Sequence, residues 1–252
     1  MRNILIKIKY DGTGFCGWQR QPQARTVCGD LEEVMERVFG APVKLDATSR
    51  TDAGVHALGQ MATFQGDYGI PTERICTAVN DALARDRLER VGEIELVSAA
   101  EVPPDFHARF SAKGKRYIYK ISNSPEADLF KRNYIYQVQK KLDVEKMRVA
   151  AEYIKGTHDF ACFQSAGSTP KETTVRTVSQ LDIVQNGTDI EIRIAGDGFL
   201  YNMVRIITGT LVETGLGKRA PEEMKSVIES KDRSKAGHTA PPQGLYLQEV
   251  FY

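Results

Sequence analysis

The hydrophobic period of this chain switches through the same order twice, and few folds accommodate that. Asn3 to Tyr10 alternates, with Ile4, Ile6 and Ile8 on one side, and reads as a strand. Thr26 to Phe39 reads as a helix, with Thr26 as its cap and Leu31, Val34, Met35 and Val38 as its apolar stripe. Pro42 to Thr48 and Gln60 to Gly66 are short strands. Pro71 to Leu83 is a helix with Pro71 or Thr72 at its start, and Leu88 to Val97 returns as a strand. This β-α-β-β-α-β order is a split βαβ unit. Lys115 to Ile121 then begins the order again. Val144 to Lys155 follows as a helix, and Val175 to Val184 with Thr188 to Ala195 form a hairpin turning near Asn186-Gly187. Leu200 to Glu213 and Pro221 to Ser230 are helices, and Leu245 to Phe251 is a last strand.

The expected fold class is therefore α+β: two ferredoxin-like, or RRM-like, halves. Their strands would join into one broad, mostly antiparallel sheet with helices behind it and a central cleft as the default site. The break lies in Ala99 to Ser111, where Pro103-Pro104 interrupts any regular element. The expected halves are 1–104 and 105–252. Gly156 to Thr174 reads as a long, polar, structureless loop of the kind kept for binding.

Composition excludes several classes. A chain of 252 residues buries roughly 70–75% of its unfolded surface, so its core needs no staple. With 41% hydrophobic and 27% charged residues it is an ordinary globular chain, and no apolar run is long enough to span a membrane. The N-terminus, MRNILIKIKYDG, lacks a signal peptide's apolar centre, so a cytoplasmic protein is expected. Cys16, Cys28, Cys76 and Cys162 are scattered and read as reduced thiols; neither they nor the four histidines have metal-site spacing. The net charge of +1 leaves any polyanion-binding role to local patches.

Gly12-Thr13-Gly14-Phe15-Cys16-Gly17 matches a dinucleotide-binding GxGxxG after a strand. That motif needs a helix to open at once, and Pro22 precedes the first helix signals at Thr26, so a nicotinamide enzyme is disfavoured. The glycines are a tight turn. Phe15 and Trp18, beside Gln19, Arg20 and Arg25, form an aromatic and basic cluster of the kind that contacts a polynucleotide. Phe106 to Pro125 is free of acids and holds Arg109, Lys113, Lys115, Arg116 and Lys120. Tyr117 and Tyr119 share one strand face there, with Arg116 and Ile118 on the other. Such a strand presents stacking and phosphate-binding groups to RNA; its alternative is an aromatic pair flanked by solvated lysines.

Arg50-Thr51-Asp52-Ala53-Gly54-Val55-His56-Ala57 carries one carboxylate and no second acid. Arg50 is placed to keep Asp52 ionised, Gly54 lets a ligand approach the backbone, and His56 and Gln60 add polar groups. One acid does not suit glycoside hydrolysis, which uses two. It suits a reaction in which the carboxylate attacks or deprotonates. Arg205, on the apolar helix after Gly198, is solvated by default and becomes functional if the fold aims it at Asp52. Gly237 to Leu247 is a loop running into a strand, with little specificity of its own.

Taken together, these residues resemble the TruA family of tRNA pseudouridine synthases. The matching pieces are Phe15 with Gly17-Trp18-Gln19 and Gln21, Arg50 to Ala57, Lys115-Arg116-Tyr117 with Tyr119, Phe199-Leu200 with Met203-Val204-Arg205, and Ala236-Gly237 with Thr239-Ala240 and Gly244 to Leu247. Ser49 stands where the family more often has glycine. The resemblance implies isomerisation of uridine to pseudouridine at positions 38, 39 and 40 of the tRNA anticodon stem-loop, with no metal and no cofactor. It implies Asp52 as the catalytic carboxylate, Arg205 as its ion-pair partner and Tyr117 stacked on the uracil. Arg50 would hold the nucleotide out of its stack, and Leu245 would pack near the base. Phe15, Trp18, Gln19, His56, Lys115 and Arg116 would contact the RNA, and the pseudouridine synthase fold and a homodimer with tRNA across both subunits are expected. Two other readings keep their own tests. A non-catalytic RNA-binding protein of two RRM-like halves would bind indifferently to Asp52, and a nucleoside hydrolase would release free uracil.

Overall fold

The computed structural model describes residues 1–86, 92–167 and 173–252, and it divides into two compact units. The first unit comprises Met1–Lys113 with Tyr246–Tyr252, and the second is Gly114–Leu245.

The first unit holds β1 (Arg2–Tyr10), α1 (Val27–Phe39), β2 (Asp46–Ala47), β3 (His56–Gly66), α2 (Thr72–Asp86) and β4 (Ile94–Glu101). β1 lies between β3 and β4, antiparallel to both, and β2 pairs antiparallel with β3. That neighbour order is the split βαβ arrangement read from the sequence. Ile4, Ile6 and Ile8 are buried under the helices, together with Leu31, Val34 and Met35 of α1 and Ile75 and Val79 of α2. Each such side chain contributes about 1.5–3 kcal/mol of burial. Thr26 caps α1, its Oγ1 accepting the Gly29 N–H at 3.2 Å.

Three boundaries differ from the sequence reading. β2 is two residues long, not Pro42 to Thr48. The outer edge of β3 is shared, because β2 takes its Ala62–Thr63 end while β10 (Leu245–Phe251) pairs parallel with His56–Ala57. β3 begins at His56, four residues early, so His56 stands on a strand and not in the preceding loop, while Gln60 lies on the strand as expected. The unit extends to Lys113 because the irregular segment before it is tied down there. Asn3 Nδ2 donates to the Pro103 and Phe106 carbonyls at 2.8 Å each, and the Lys113 N–H donates to the Phe251 carbonyl. Part of the expected strand Leu88 to Val97 lies outside the described residues.

The second unit holds β5 (Gly114–Ser122), β6 (Tyr136–Gln137), α3 (Val144–Glu152), β7 (Gly156–Asp159), β8 (Val175–Asn186), β9 (Asp189–Gly196), α4 (Met203–Gly215) and α5 (Glu223–Ser230). Its strands run β5-β9-β8-β7, antiparallel throughout, with β6 parallel on β5. β8 and β9 are the expected hairpin, closed through Gly187-Thr188. Ile190, Ile192 and Ile194 of β9 pack in a core with Met147, Ala150 and Ile206 of the helices.

Two expectations change here. Gly156 to Thr174 is not structureless: β7 and a 3-10 turn at Ala161–Phe163 occupy it, and Phe160, Cys162 and Phe163 are fully buried. Residues 168–172 of that stretch lie outside the described residues. α4 starts at Met203, not Leu200, because Asn202 adopts a left-handed conformation at φ 60° and breaks the helical path before it.

No helix among the described residues is long and apolar enough to cross a membrane. Among them, no three His, Cys, Asp or Glu side chains gather as a metal ion would need.

Candidate active site

The loop from Ser49 to Val55 is held by its backbone. The Trp18 N–H donates to the Thr51 carbonyl at 3.1 Å, and the Gly54 N–H donates to the Phe15 carbonyl at 3.3 Å. Val55 N–H closes a turn onto the Asp52 carbonyl at 3.1 Å. Gln60 Nε2 donates to the Ser49 carbonyl at 2.7 Å, and Thr51 Oγ1 lies 2.7 Å from Tyr10 Oη. Asp52 is half-buried at the head of this turn, between buried Thr51 and exposed Ala53.

The GTGFCG segment is the other wall of the same loop. A Cβ on Gly12 would fall inside the Val55 carbonyl group, and one on Gly17 would come within 2.5 Å of the Thr51 oxygen. Gly17 also sits at φ 86°, where a side chain is strained. These glycines let two backbone segments touch; their ligand is the Asp52 loop and not a pyrophosphate. His56 belongs to this scaffold. It is 2% exposed, its Nδ1 accepts the Gly12 N–H at 3.0 Å, and its ring stacks on Tyr246 at 4.7 Å.

Folding also changes the charge reading around Phe15 and Trp18. Both rings are buried, at 3% and 2% exposure, with Trp18 6.0 Å from Tyr10 and the Arg25 guanidinium 4.1 Å over Phe15. Arg25 is paired with Asp30 at 2.9 Å and with Glu93, and Arg20 with Glu32 at 3.1 Å. A stretch with no acid in sequence is thus neutralised by acids from α1 and from beside β4. Gln19 remains exposed. Arg50 is exposed as well, and among the described residues its guanidinium makes no ion pair.

In the second unit, Tyr117 lies on β5 opposite Ile194, with Phe199 edge-on to its ring at 5.3 Å. Lys115 and Arg116 precede it, both half-buried. Tyr119, from the same strand, is core: it is fully buried and its hydroxyl donates to the Pro241 carbonyl at 2.6 Å. Arg205 is not a solvated side chain. Its Nε donates to the Ala240 carbonyl at 2.8 Å and its Nη1 to Asn202 Oδ1 at 2.7 Å. Leu245 is buried at the start of β10, after a 3-10 turn at Pro242–Gly244.

Sequence reasoning passed over what fixes Arg205. The loop from Gly237 to Ala240 is strapped onto α4: the Gly237 N–H donates to Thr210 Oγ1, the His238 N–H to Glu213 Oε1, and the Ala240 N–H to the Arg205 carbonyl. Glu213 also receives Arg219 Nε at 2.8 Å and meets His238 Nδ1 at 3.0 Å. Burial pushes the Glu213 carboxyl up, but the hydrogen bonds from His238 and Arg219 together outweigh it and hold the pKa at about 2. A carboxyl lowered on folding stabilises the native state above its unfolded pKa and loses that contribution as pH falls toward its folded one. The melting-temperature gap between wild type and Glu213→Gln should therefore be open at pH 6 and close between about pH 4.5 and pH 2. Calorimetry of both proteins across that range measures it. The local signals were Asn202 before a helix and an acid four residues after Gly209, neither of which names a partner.

The two units, each of helices on a largely antiparallel sheet, place this chain in the α+β class. The family comparison is specific within that class. This chain belongs to the tRNA pseudouridine synthase family, whose model matches residues 6–111 and 150–252. It is 48% identical over 252 residues to tRNA pseudouridine synthase A of Acetivibrio thermocellus, with both chains covered in full. It is 46% identical over 252 residues to tRNA pseudouridine synthase A 2 of Clostridium perfringens, and 47% identical to tRNA pseudouridine synthase A of a Thermoanaerobacter species, again over the whole of each chain.

Proposed function

We propose that this chain is an isomerase that converts uridine to pseudouridine in tRNA, at positions 38, 39 and 40 of the anticodon stem-loop. The N1–C1′ bond breaks, the uracil turns within the site, and C5 joins C1′. The hydrogen on C5 leaves as a proton and N1 gains one, so the reaction is redox-neutral and product and substrate are isomers. The observation that carries the reading is the Arg50–Ala57 loop, with Asp52 at the head of a turn whose backbone groups are clamped by Phe15, Trp18 and Gln60. Relatives at 46–48% identity along the full chain, named as tRNA pseudouridine synthases, support it over a non-catalytic RNA-binding protein.

Asp52 acts as the charged carboxylate, whether on the base, on C1′ or on a sugar proton. Arg205 is the cation that keeps it ionised, and its fixed pose lets it serve without reorganising during the reaction. Tyr117, braced by Phe199, stacks on the uracil, and Leu245 packs near it. Arg50, exposed and without an ion pair among the described residues, holds the target nucleotide out of its stack, a step costing a few kcal/mol. Gln19, Lys115 and Arg116 contact the RNA; Phe15, Trp18 and His56 serve it by shaping the Asp52 loop from behind. The enzyme works in the cytoplasm as a homodimer, with tRNA touching both subunits.

The test is release of tritium from unmodified tRNA carrying 5-tritiated uridine. Purified protein that releases none ends this reading, and free uracil as product would make it a hydrolase. Arg205→Ala should lower single-turnover rate by roughly a hundredfold or more while tRNA affinity changes by less than about fivefold. The reverse pattern would make Arg205 a phosphate contact.

A further inference from the structure

The turn from His107 to Ser111 presents an aromatic ring to solvent in a fixed pose. Phe110 is 77% exposed, yet its turn is closed in both directions. The Ser111 N–H donates to the His107 carbonyl at 2.9 Å, and the His107 N–H donates to Ser111 Oγ at 3.1 Å. The Arg109 N–H donates to His107 Nδ1 at 3.0 Å, which sets the imidazole beside the Phe110 ring, centroids 4.4 Å apart. The Arg109 guanidinium lies 5.6 Å from the same ring. Ala108, between them, is buried. Its N–H donates to Thr63 Oγ1 at 3.3 Å, and its carbonyl accepts from Thr48 Oγ1 at 2.9 Å and Tyr252 Oη at 3.0 Å. Thr48 is four residues before Asp52. The turn is thus bolted to the strands that carry the Asp52 loop.

We propose that Phe110, flanked by His107 and Arg109, is a stacking platform for an unpaired nucleotide of the RNA substrate, with Arg109 and Lys113 meeting its phosphates. This rests on the reading of the chain as a tRNA-modifying enzyme and adds a contact outside the residues assigned above. Every base has a π-face, so an exposed ring carried on a closed turn can stack on any of them. Arg109 and Lys113 are both exposed, and Phe106 to Pro125 contains no acid. A polyanion satisfies those cations; an apolar protein surface seated on Phe110 would have to strip water from Arg109. The rings of Phe15 and Trp18 are buried and offer no such face, whereas that of Phe110 does.

Equilibrium binding of unmodified tRNA to Phe110→Ala, Phe110→Leu, Phe110→Trp and Arg109→Gln tests it, with tritium release by the wild type run alongside. Phe110 is exposed enough that none of its variants should disturb folding. Phe110→Ala and Phe110→Leu should each weaken binding by roughly 5- to 150-fold, and Phe110→Trp should restore it. Arg109→Gln should reduce the slope of log affinity against log salt by about one, while Phe110→Ala leaves it unchanged. Wild-type affinity in Phe110→Ala overturns the proposal, as does Leu binding as well as Phe. A change in the oligomeric state of the RNA-free protein on Phe110→Ala also overturns it, and assigns the ring to contact between copies. Tritium release by the wild type with unaltered binding by Phe110→Ala removes the platform alone. No release by a wild type that still binds through Phe110 removes the isomerase reading alone.

Discussion

Asp52→Asn should give a folded protein that binds tRNA and turns over at roughly a hundredth to a ten-thousandth of the wild-type rate. The substitution keeps the shape of the side chain and removes its charge. The turn itself is held by backbone groups: the Thr51 and Asp52 carbonyls accept from Trp18 and Val55, and the Gly54 N–H donates to the Phe15 carbonyl. None of these backbone bonds is made by the carboxylate. Single-turnover tritium release, read beside the melting temperature and tRNA affinity, separates the outcomes. Turnover above about a tenth of wild type would acquit Asp52, and a fall in melting temperature matching the activity loss would assign it to structure.

Gly12→Ala should be nearly as damaging to activity, by a different route. The added methyl would lie 2.1 Å from the Val55 carbonyl oxygen, which is backbone and has no rotamer to escape into. The two segments must part, at about 1–3 kcal/mol of stability. The Asp52 turn moves with them, since Val55 N–H closes that turn and His56 holds the Gly12 N–H. A displacement near 1 Å costs on the order of a hundredfold in rate. The check is a variant less stable than wild type, with its rate reduced well beyond what its unfolded fraction explains. Gly14→Ala is the control, because its Cβ would meet only the ends of the Arg25 and Glu93 side chains, at 3.0 and 3.1 Å. An undiminished rate in Gly12→Ala would show that the two walls are not coupled.

Particular elements show why some of this was legible in advance. The alternation of Ile4, Ile6 and Ile8, the Thr26 cap and the Asn186-Gly187 turn signal are local, and local patterns translate directly into backbone conformation. The Arg50–Ala57 run was legible for another reason: it is so specific a string that its resemblance alone pointed to its family. In the sequence His56 reads as part of a loop, because its strand is defined by partners far away, on β1 and β10. The cluster around Phe15, Trp18 and Arg25 looks free of counter-charge in the sequence because Glu93, which pairs with Arg25, is 68 residues distant.

By itself the sequence determined the α+β class, the order of the longer strands and helices and the identity of the loop that bears Asp52, since each depends on side-chain period or on a short exact string. Tertiary structure alone decided which charges are cancelled, which rings are buried, what fixes Arg205, and that the C-terminal strand closes the first unit. Those outcomes depend on hydrogen bonds and ion pairs between distant residues, and no local pattern encodes a partner's address.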